Sequence, residues 1–193
     1  MIPYQKEKLD NAVCFFAKEH NKKTRHQLYQ TFLYKYLALF DFGCLKTYGK
    51  APLGLTYVAM PRGPVPKELY DRRDDADLSA IFCFRKDERQ NLIVFPKTPP
   101  NLDYFNKREV DFMHRLIEVY AQTYITSALM SDASHQEILA WKRTWEEKQN
   151  TIIDFSLEFS GDIFHKPETE LTFPEEVFLT QKGIEHCGSP SAT

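Results

Sequence analysis

The chain has 193 residues, of which 42% are hydrophobic, 14% aromatic and 27% charged. This composition is typical of one soluble globular domain and excludes an intrinsically disordered chain. The net charge of -2 argues against a protein that is held to nucleic acid by phosphate contacts. No apolar run approaches the roughly 18 residues that a membrane span needs, so neither nucleic acid nor membrane is expected as a partner.

The cysteines and the first residues bear on the compartment. Cys14, Cys44, Cys83 and Cys187 are irregularly spaced and form no Cys-x-x-Cys, so neither a zinc site nor a disulfide framework is predicted. Residues 1–8 contain no apolar core of the kind that signal peptides have. Because scattered free cysteines suit a reducing compartment, we expect a cytoplasmic location.

Two helices are predicted in the first 50 residues. Apolar residues at helical spacing indicate an amphipathic helix over residues 5–20, followed by a polar break. The sequence Thr24-Arg25-His26-Gln27 has the pattern of a capping box. It predicts a second helix from about 25 to 48, apolar on nearly all sides and therefore central, with Gly49 as its stop.

The predicted strands lie between residues 50 and 100. Residues 55–60 are rich in strand formers, and Pro61-Arg62-Gly63-Pro64 forces a turn that leads to a short helix over 65–72. Residues 80–84 and 92–95 are predicted to pair as a hairpin.

Helices dominate the predicted second half. Asn106-Lys107-Arg108-Glu109 opens a helix that continues to about 122, a short helix covers 125–131, and Ser134-His135-Gln136-Glu137 opens another that carries Trp141. Residues 152–159 fit either helix or strand. Beyond Gly161 the helical periodicity fades, and residues 187–193 have the composition of a disordered end.

The sequence contains none of the common catalytic or cofactor motifs. It has no glycine-rich phosphate loop, no nucleophile elbow and no histidine pair at metal-binding spacing, so no metal and no cofactor are predicted. Residues 1–50 carry a charge of +5 and residues 154–193 a charge of -6. This asymmetry agrees with two solvated surfaces. It also agrees with an acidic tail that covers a basic face or meets a basic partner.

One segment, residues 57–71, is different. Three prolines and a glycine make a rigid corner between a strand and a helix, and Arg62 stands at its tip with Tyr57 and Tyr70 nearby in sequence. Arginine and tyrosine are common interface anchors, and a rigid corner loses little entropy on binding. A turn kept for its geometry and a partner-binding surface both fit the segment.

This segment also carries a family resemblance. Tyr57-Val58-Ala59-Met60, followed by Gly63-Pro64-Val65-Pro66 and Leu69-Tyr70, resembles the core motif of the SocA-like Panacea domain, a phage-associated antitoxin family. Further similar blocks extend the resemblance over residues 8–155: Asp41 with Tyr48-Gly49, Phe105-Asn106-Lys107-Arg108-Glu109, and His135 with Trp141.

The resemblance implies an α+β fold, a mainly helical single domain with a small antiparallel β-sheet. It implies a Panacea-like domain over residues 1–160 and a C-terminal extension over 161–193. It further implies a protein that is not an enzyme and that binds and neutralises a cognate toxin encoded beside it, often a toxin that inhibits translation. The residues expected to bind protein are Tyr57, Arg62, Gly63, Pro64, Val65, Pro66, Glu68, Tyr70, His135 and Trp141.

Two alternatives stay open at this point. One branch of the family delivers its toxin to the Clp protease, so the chain fits a proteolytic adaptor as well. A small hydrolase or transferase would need His135, Asp41 and Glu68 to share one concave pocket.

Overall fold

The computed structural model describes residues 2–75 and 77–187, and their side chains except those of 185–187. Two antiparallel hairpins occur in this part of the chain: β1 (Tyr57–Met60) with β2 (Gly63–Pro66), and β3 (Phe82–Lys86) with β4 (Leu92–Pro96). The described helices are α1 (Gln5–Thr24), α2 (Gln30–Tyr48), α3 (Lys67–Asp71), α4 (Lys107–Tyr120), α5 (Ser127–Glu137), α6 (Leu139–Glu147) and α7 (Phe173–Cys187). The predicted class, mainly helical α+β, is confirmed, with two small sheets in place of one.

Helix α2 is the centre of the molecule. It contacts α1, α4, α5 and α7 as well as the strand β2. Tyr36, Leu37 and Phe40 are completely buried on it, and the Tyr36 ring stacks on Phe16 of α1 with 4.9 Å between ring centroids. The predicted central position of this helix is therefore confirmed. No described helix is long and apolar enough to cross a membrane.

The predicted boundary between α1 and α2 is wrong. Helix α1 continues to Thr24, and α2 begins only at Gln30. The Thr24 hydroxyl donates to the carbonyl of His20 at 2.8 Å and accepts from the amide of His26 at 3.1 Å. Because this hydroxyl serves the end of α1, it does not cap α2, and the capping-box interpretation fails. Gly49, with a φ of 74°, ends α2 as predicted.

The predicted corner between a strand and a helix is a β-hairpin. Met60 stands opposite Gly63, so Pro61 and Arg62 form a two-residue loop. The predicted turn extends only over these two residues, and the segment Gly63–Pro66 is a second strand. The short helix predicted over 65–72 begins later and ends earlier, at Lys67 and Asp71.

The hairpin register explains how β2 accommodates two prolines. Pro64 and Pro66 stand opposite Ala59 and Tyr57. The Ala59 carbonyl accepts from the amide of Asn150 at 2.9 Å, on the side of β1 away from β2. The residues opposite Ala59 and Tyr57 therefore point their nitrogens away from β1, where the ladder needs no donor.

Helix starts in the second half are set by local caps at α4 and α5 and by a distant cap at α6. Asn106 and Glu109 form the predicted capping box of α4. Residues 134–137 do not open a helix but end α5, and α6 follows at once. Glu158 caps α6 instead, because its carboxylate accepts from the amide of Ala140 at 2.9 Å. A cap from a residue this far along the chain leaves no local pattern.

The C-terminal region is more ordered than its periodicity indicated. Residues 155–158 form a 3₁₀ turn, which resolves the open assignment of that segment. Phe173–Cys187 forms helix α7, so the expected loss of helix beyond residue 161 is wrong. Phe178 of α7 packs on Phe159 with 5.2 Å between ring centroids. Residues 187–193 were expected to be disordered, but Cys187 ends helix α7, and the rest of that segment lies outside the described residues. The division of the chain at residue 160 stays a prediction.

Candidate functional site

Three helices, α2, α5 and α6, bring chemically active side chains to the β1–β2 hairpin. Strand β2 contacts α2 and α5, and β1 contacts α6. We call the resulting group the hairpin cluster; it consists of Lys35, Arg62, Gly63, Ser134, His135 and Trp141.

Stacked aromatic rings form one wall of the hairpin cluster. The His135 ring lies parallel to Trp141, with 3.9 Å between centroids and 4° between planes. Trp141 stacks in turn on Trp145 at 5.8 Å, and its indole nitrogen donates to the carbonyl of Met60 at 3.2 Å. Because Met60 directly precedes the hairpin loop, this bond fixes the loop to α6.

His135 lies in the last turn of α5, not at a helix start as the sequence indicated. Burial lowers the pKa of His135, and the charge of Lys35 lowers it further, whereas Asp132 and a bond to the main chain of Arg62 raise it. Its Nε2 atom is buried and has no hydrogen-bond partner among the described residues. The ring is thus held in place while its Nε2 atom forms no hydrogen bond within the described chain.

Lys35 is a buried cation without a carboxylate. It is 4% exposed, and within the described parts of the chain its Nζ forms no hydrogen bond or ion pair. Burial, together with the charge of Arg62, lowers the pKa of Lys35 to about 8. Lys8, the other buried lysine of the described chain, is paired. Its Nζ lies 2.8 Å from the carboxylate of Glu109.

The end of the Lys35 side chain lies beside Gly63, where a larger residue would place a Cβ. The φ of Gly63 is 104°, and a Cβ at this position would lie 2.8 Å from Lys35 Nζ and 2.7 Å from Ser134 Oγ. The Ser134 hydroxyl donates to the carbonyl of Ser131 at 2.7 Å. Glycine is therefore favoured at this position by its backbone conformation, and a larger residue would also displace the ends of the Lys35 and Ser134 side chains.

Replacing Gly63 with valine is expected to lower the free energy of unfolding by about 2–4 kcal/mol, because backbone strain adds to steric overlap. Gly161→Val is the matched control, since Gly161 also has a positive φ, 74°, but nothing within 4 Å of its Cβ position. Urea denaturation of both variants separates strain from overlap. Equal losses in the two variants would contradict the role of the contacts.

The structure places several predicted binding residues in the interior. Tyr57 is completely buried, and its hydroxyl donates to Asp41 at 3.0 Å. Pro64, Val65 and Pro66 are buried in β2. Within the hairpin, Arg62 is exposed at the loop, as the sequence predicted. The buried residues thus hold the hairpin in the position in which Arg62 is exposed.

Glu68 and Tyr70 lie beyond the other end of the hairpin, on α3. The Glu68 carboxylate accepts from the amide of Thr56 at 2.8 Å. The guanidinium of Arg73 lies 4.2 Å from the centroid of the Tyr70 ring. Neither contact involves the hairpin cluster, so the structure divides the predicted binding residues into two groups.

The three residues of the enzyme alternative are engaged separately. Asp41 is completely buried and accepts from three consecutive amides, Leu53 to Leu55. Glu68 bonds Thr56, and His135 stacks on Trp141. The structure therefore does not bring these residues together in one pocket. In the described part of the chain there is also no group of three or more His, Cys, Asp or Glu side chains placed to hold a metal.

The sequence did not identify Lys35 and Ser134 as members of the hairpin cluster. A signal for Lys35 was present, because this lysine interrupts the otherwise apolar stretch from Phe32 to Phe40. A charged residue on the central helix of a domain is rarely buried without a reason. Ser134 gave no such signal, since its role depends on where α5 meets β2.

The fold and the hairpin cluster define a mainly helical α+β domain in which a proline-rich hairpin is held against a central helix and a tryptophan-bearing helix. The family model for the antitoxin SocA-like Panacea domain matches residues 33–142, more than half of the chain. The chain belongs to this family, and the resemblance seen in the sequence is confirmed. The matched region includes every residue of the hairpin cluster. Neither the curated proteins nor the solved structures give a match.

Proposed function

We propose that the chain is an antitoxin that neutralises a toxin protein encoded beside it by binding that protein directly through the hairpin cluster. Membership of an antitoxin family supports the general role. The observation that carries the proposed mechanism is Arg62, exposed on a two-residue loop that the Trp141–Met60 bond fixes.

A fixed and exposed arginine is well suited to protein recognition. The guanidinium offers five donors and pairs bidentately with carboxylates or lies on aromatic rings. Because the preceding Met60 and the following Gly63 are both held by packing, ordering the loop costs little entropy on binding. The rings of His135, Trp141 and Trp145 stack next to this loop. Trp141 is buried, so it holds the loop in place, whereas His135 and Trp145 are half-buried.

Charge reversal at Arg62 tests this function. Coexpression with the neighbouring toxin is expected to restore growth, and the two proteins are expected to co-purify. Arg62→Glu should abolish both while leaving the melting temperature unchanged, since the side chain is exposed and reversal adds repulsion at the contact.

Arg108→Glu is the matched control. Arg108 is also exposed and lies over Tyr48, at the far end of α2 from Lys35. It should rescue growth like the unmodified chain. Full rescue by Arg62→Glu at normal protein levels would contradict the proposed surface, and rescue that requires the Clp protease without a stable complex would favour the adaptor alternative.

A further inference from the structure

We propose that the hairpin cluster binds one carboxylate of the partner protein, between the Lys35 ammonium, the His135 ring and the Arg62 guanidinium. This inference rests on the proposed function for the identity of the partner. The site itself belongs to this chain and can be tested without the toxin.

The first argument is the missing counterion of Lys35. The Lys35 side chain is only 4% exposed. An ammonium that is largely removed from water without a partner is costly, and folded proteins normally pair such a group or leave it neutral. Among the described residues no carboxylate bonds Nζ, although the chain pairs the similarly buried Lys8 with Glu109. An anion from a partner would pair with the Lys35 ammonium as the Glu109 carboxylate pairs with Lys8.

The second argument is the unused nitrogen of His135. Stacking on Trp141, with 3.9 Å between ring centroids and 4° between planes, fixes the orientation of the ring. Nε2 is buried and lacks a partner within the described chain. A carboxylate that reaches this nitrogen would favour the protonated ring, which donates from both nitrogens.

The third argument is the local charge. Lys35 and Arg62 are close enough for the charge of Arg62 to lower the Lys35 pKa, and Lys35 acts on His135 in the same direction. The acid that opposes this effect at His135 is Asp132, which is exposed. The cluster therefore carries a cationic excess beside Gly63, where Lys35 Nζ and Ser134 Oγ lie 2.8 Å and 2.7 Å from the position that a Cβ would take.

A carboxylate fits this site because a folded toxin presents aspartate and glutamate side chains on its surface. Arg62 at the rim would meet the carboxylate first and pair with it bidentately. Lys35 and His135 would then bind it at the base through charged hydrogen bonds, which are stronger than neutral ones.

The test uses the purified full chain and NMR signals of the His135 ring and the Lys35 ammonium. Acetate is titrated at constant ionic strength, with phosphate and chloride as separate arms. Acetate is expected to shift both signals saturably and to raise the pKa of both groups. Lys35→Met should remove the response at His135, whereas Lys22→Met, which replaces an exposed lysine of α1, should retain it.

Several results would overturn the carboxylate site. These are the absence of a saturable acetate response, an equal response in Lys35→Met, an equal response to chloride, or a response to phosphate alone. A toxin affinity that Lys35→Met leaves unchanged would also overturn it, because more than about a tenfold loss is expected when one member of a buried charge pair is removed.

The failure of this inference and the failure of the proposed function are distinguishable. A toxin complex without any acetate response removes the carboxylate site and leaves the antitoxin function intact. An acetate response in a chain that neither binds nor neutralises the toxin removes the proposed function and leaves the anion site intact.

Discussion

Replacing Asp41 with alanine is expected to lower the free energy of unfolding by about 3–5 kcal/mol. The Asp41 carboxylate accepts from the amides of Leu53, Gly54 and Leu55 at 2.7–3.2 Å and from the Tyr57 hydroxyl at 3.0 Å. Alanine would leave these donors without a partner, and most of them are buried. The loss would be a large part of the stability of a typical domain.

Chemical denaturation of Asp41→Ala beside Asp111→Ala measures this effect, since Asp111 is exposed on α4 and should change stability by less than about 0.5 kcal/mol. Burial raises the pKa of Asp41 to about 6 from an ordinary 3.8. The folded state thus retains a proton that the unfolded state loses, so the stabilisation by Asp41 should fall as pH rises through this window. A difference between unmodified chain and Asp41→Ala that is small or independent of pH would contradict this account.

Two buried lysines are expected to respond in opposite directions to the same substitution. Lys8→Met should lower the free energy of unfolding by about 3 kcal/mol, because it leaves the buried Glu109 carboxylate without its cation. Lys35→Met should raise it by about 1–2 kcal/mol, because it removes a buried charge that no described carboxylate compensates. The same Lys35 variant should lose neutralisation of the toxin. Lys35 would then lower the stability of the free protein while serving function, as functional residues commonly do.

Urea denaturation of the free proteins gives both changes under identical conditions. The two lysines form a matched pair, since they are 8% and 4% exposed and both lie on helices that contact each other. Destabilisation of the free protein by Lys35→Met, to the same extent as by Lys8→Met, would show that Lys35 is compensated in the free chain.

Local patterns in the sequence predicted the elements that local interactions determine. The capping box at Asn106 and Glu109, the stop at Gly49 and the strand at 57–60 all depend on residues close together in the chain. The pattern at Thr24 failed because its hydroxyl bonds the end of α1, while α2 begins only at Gln30.

The hairpin cluster depends on tertiary contacts that no local pattern contains. Arg62 and the pair His135 and Trp141 were identified from the sequence, but nothing near them in the chain indicates that Lys35 ends beside Gly63. Likewise, helix α7 has a mixed pattern, and it packs against α2 and, through Phe178, on Phe159. Such contacts become visible only when separate helices are placed around α2.

The binding surface is tested most directly by titration calorimetry of the purified chain with the purified toxin encoded beside it. We expect a direct complex, weakened by more than about tenfold in Arg62→Glu and in Lys35→Met and unchanged in Arg108→Glu. Affinities for Arg62→Glu and Lys35→Met equal to that of the unmodified chain would contradict binding through the hairpin cluster.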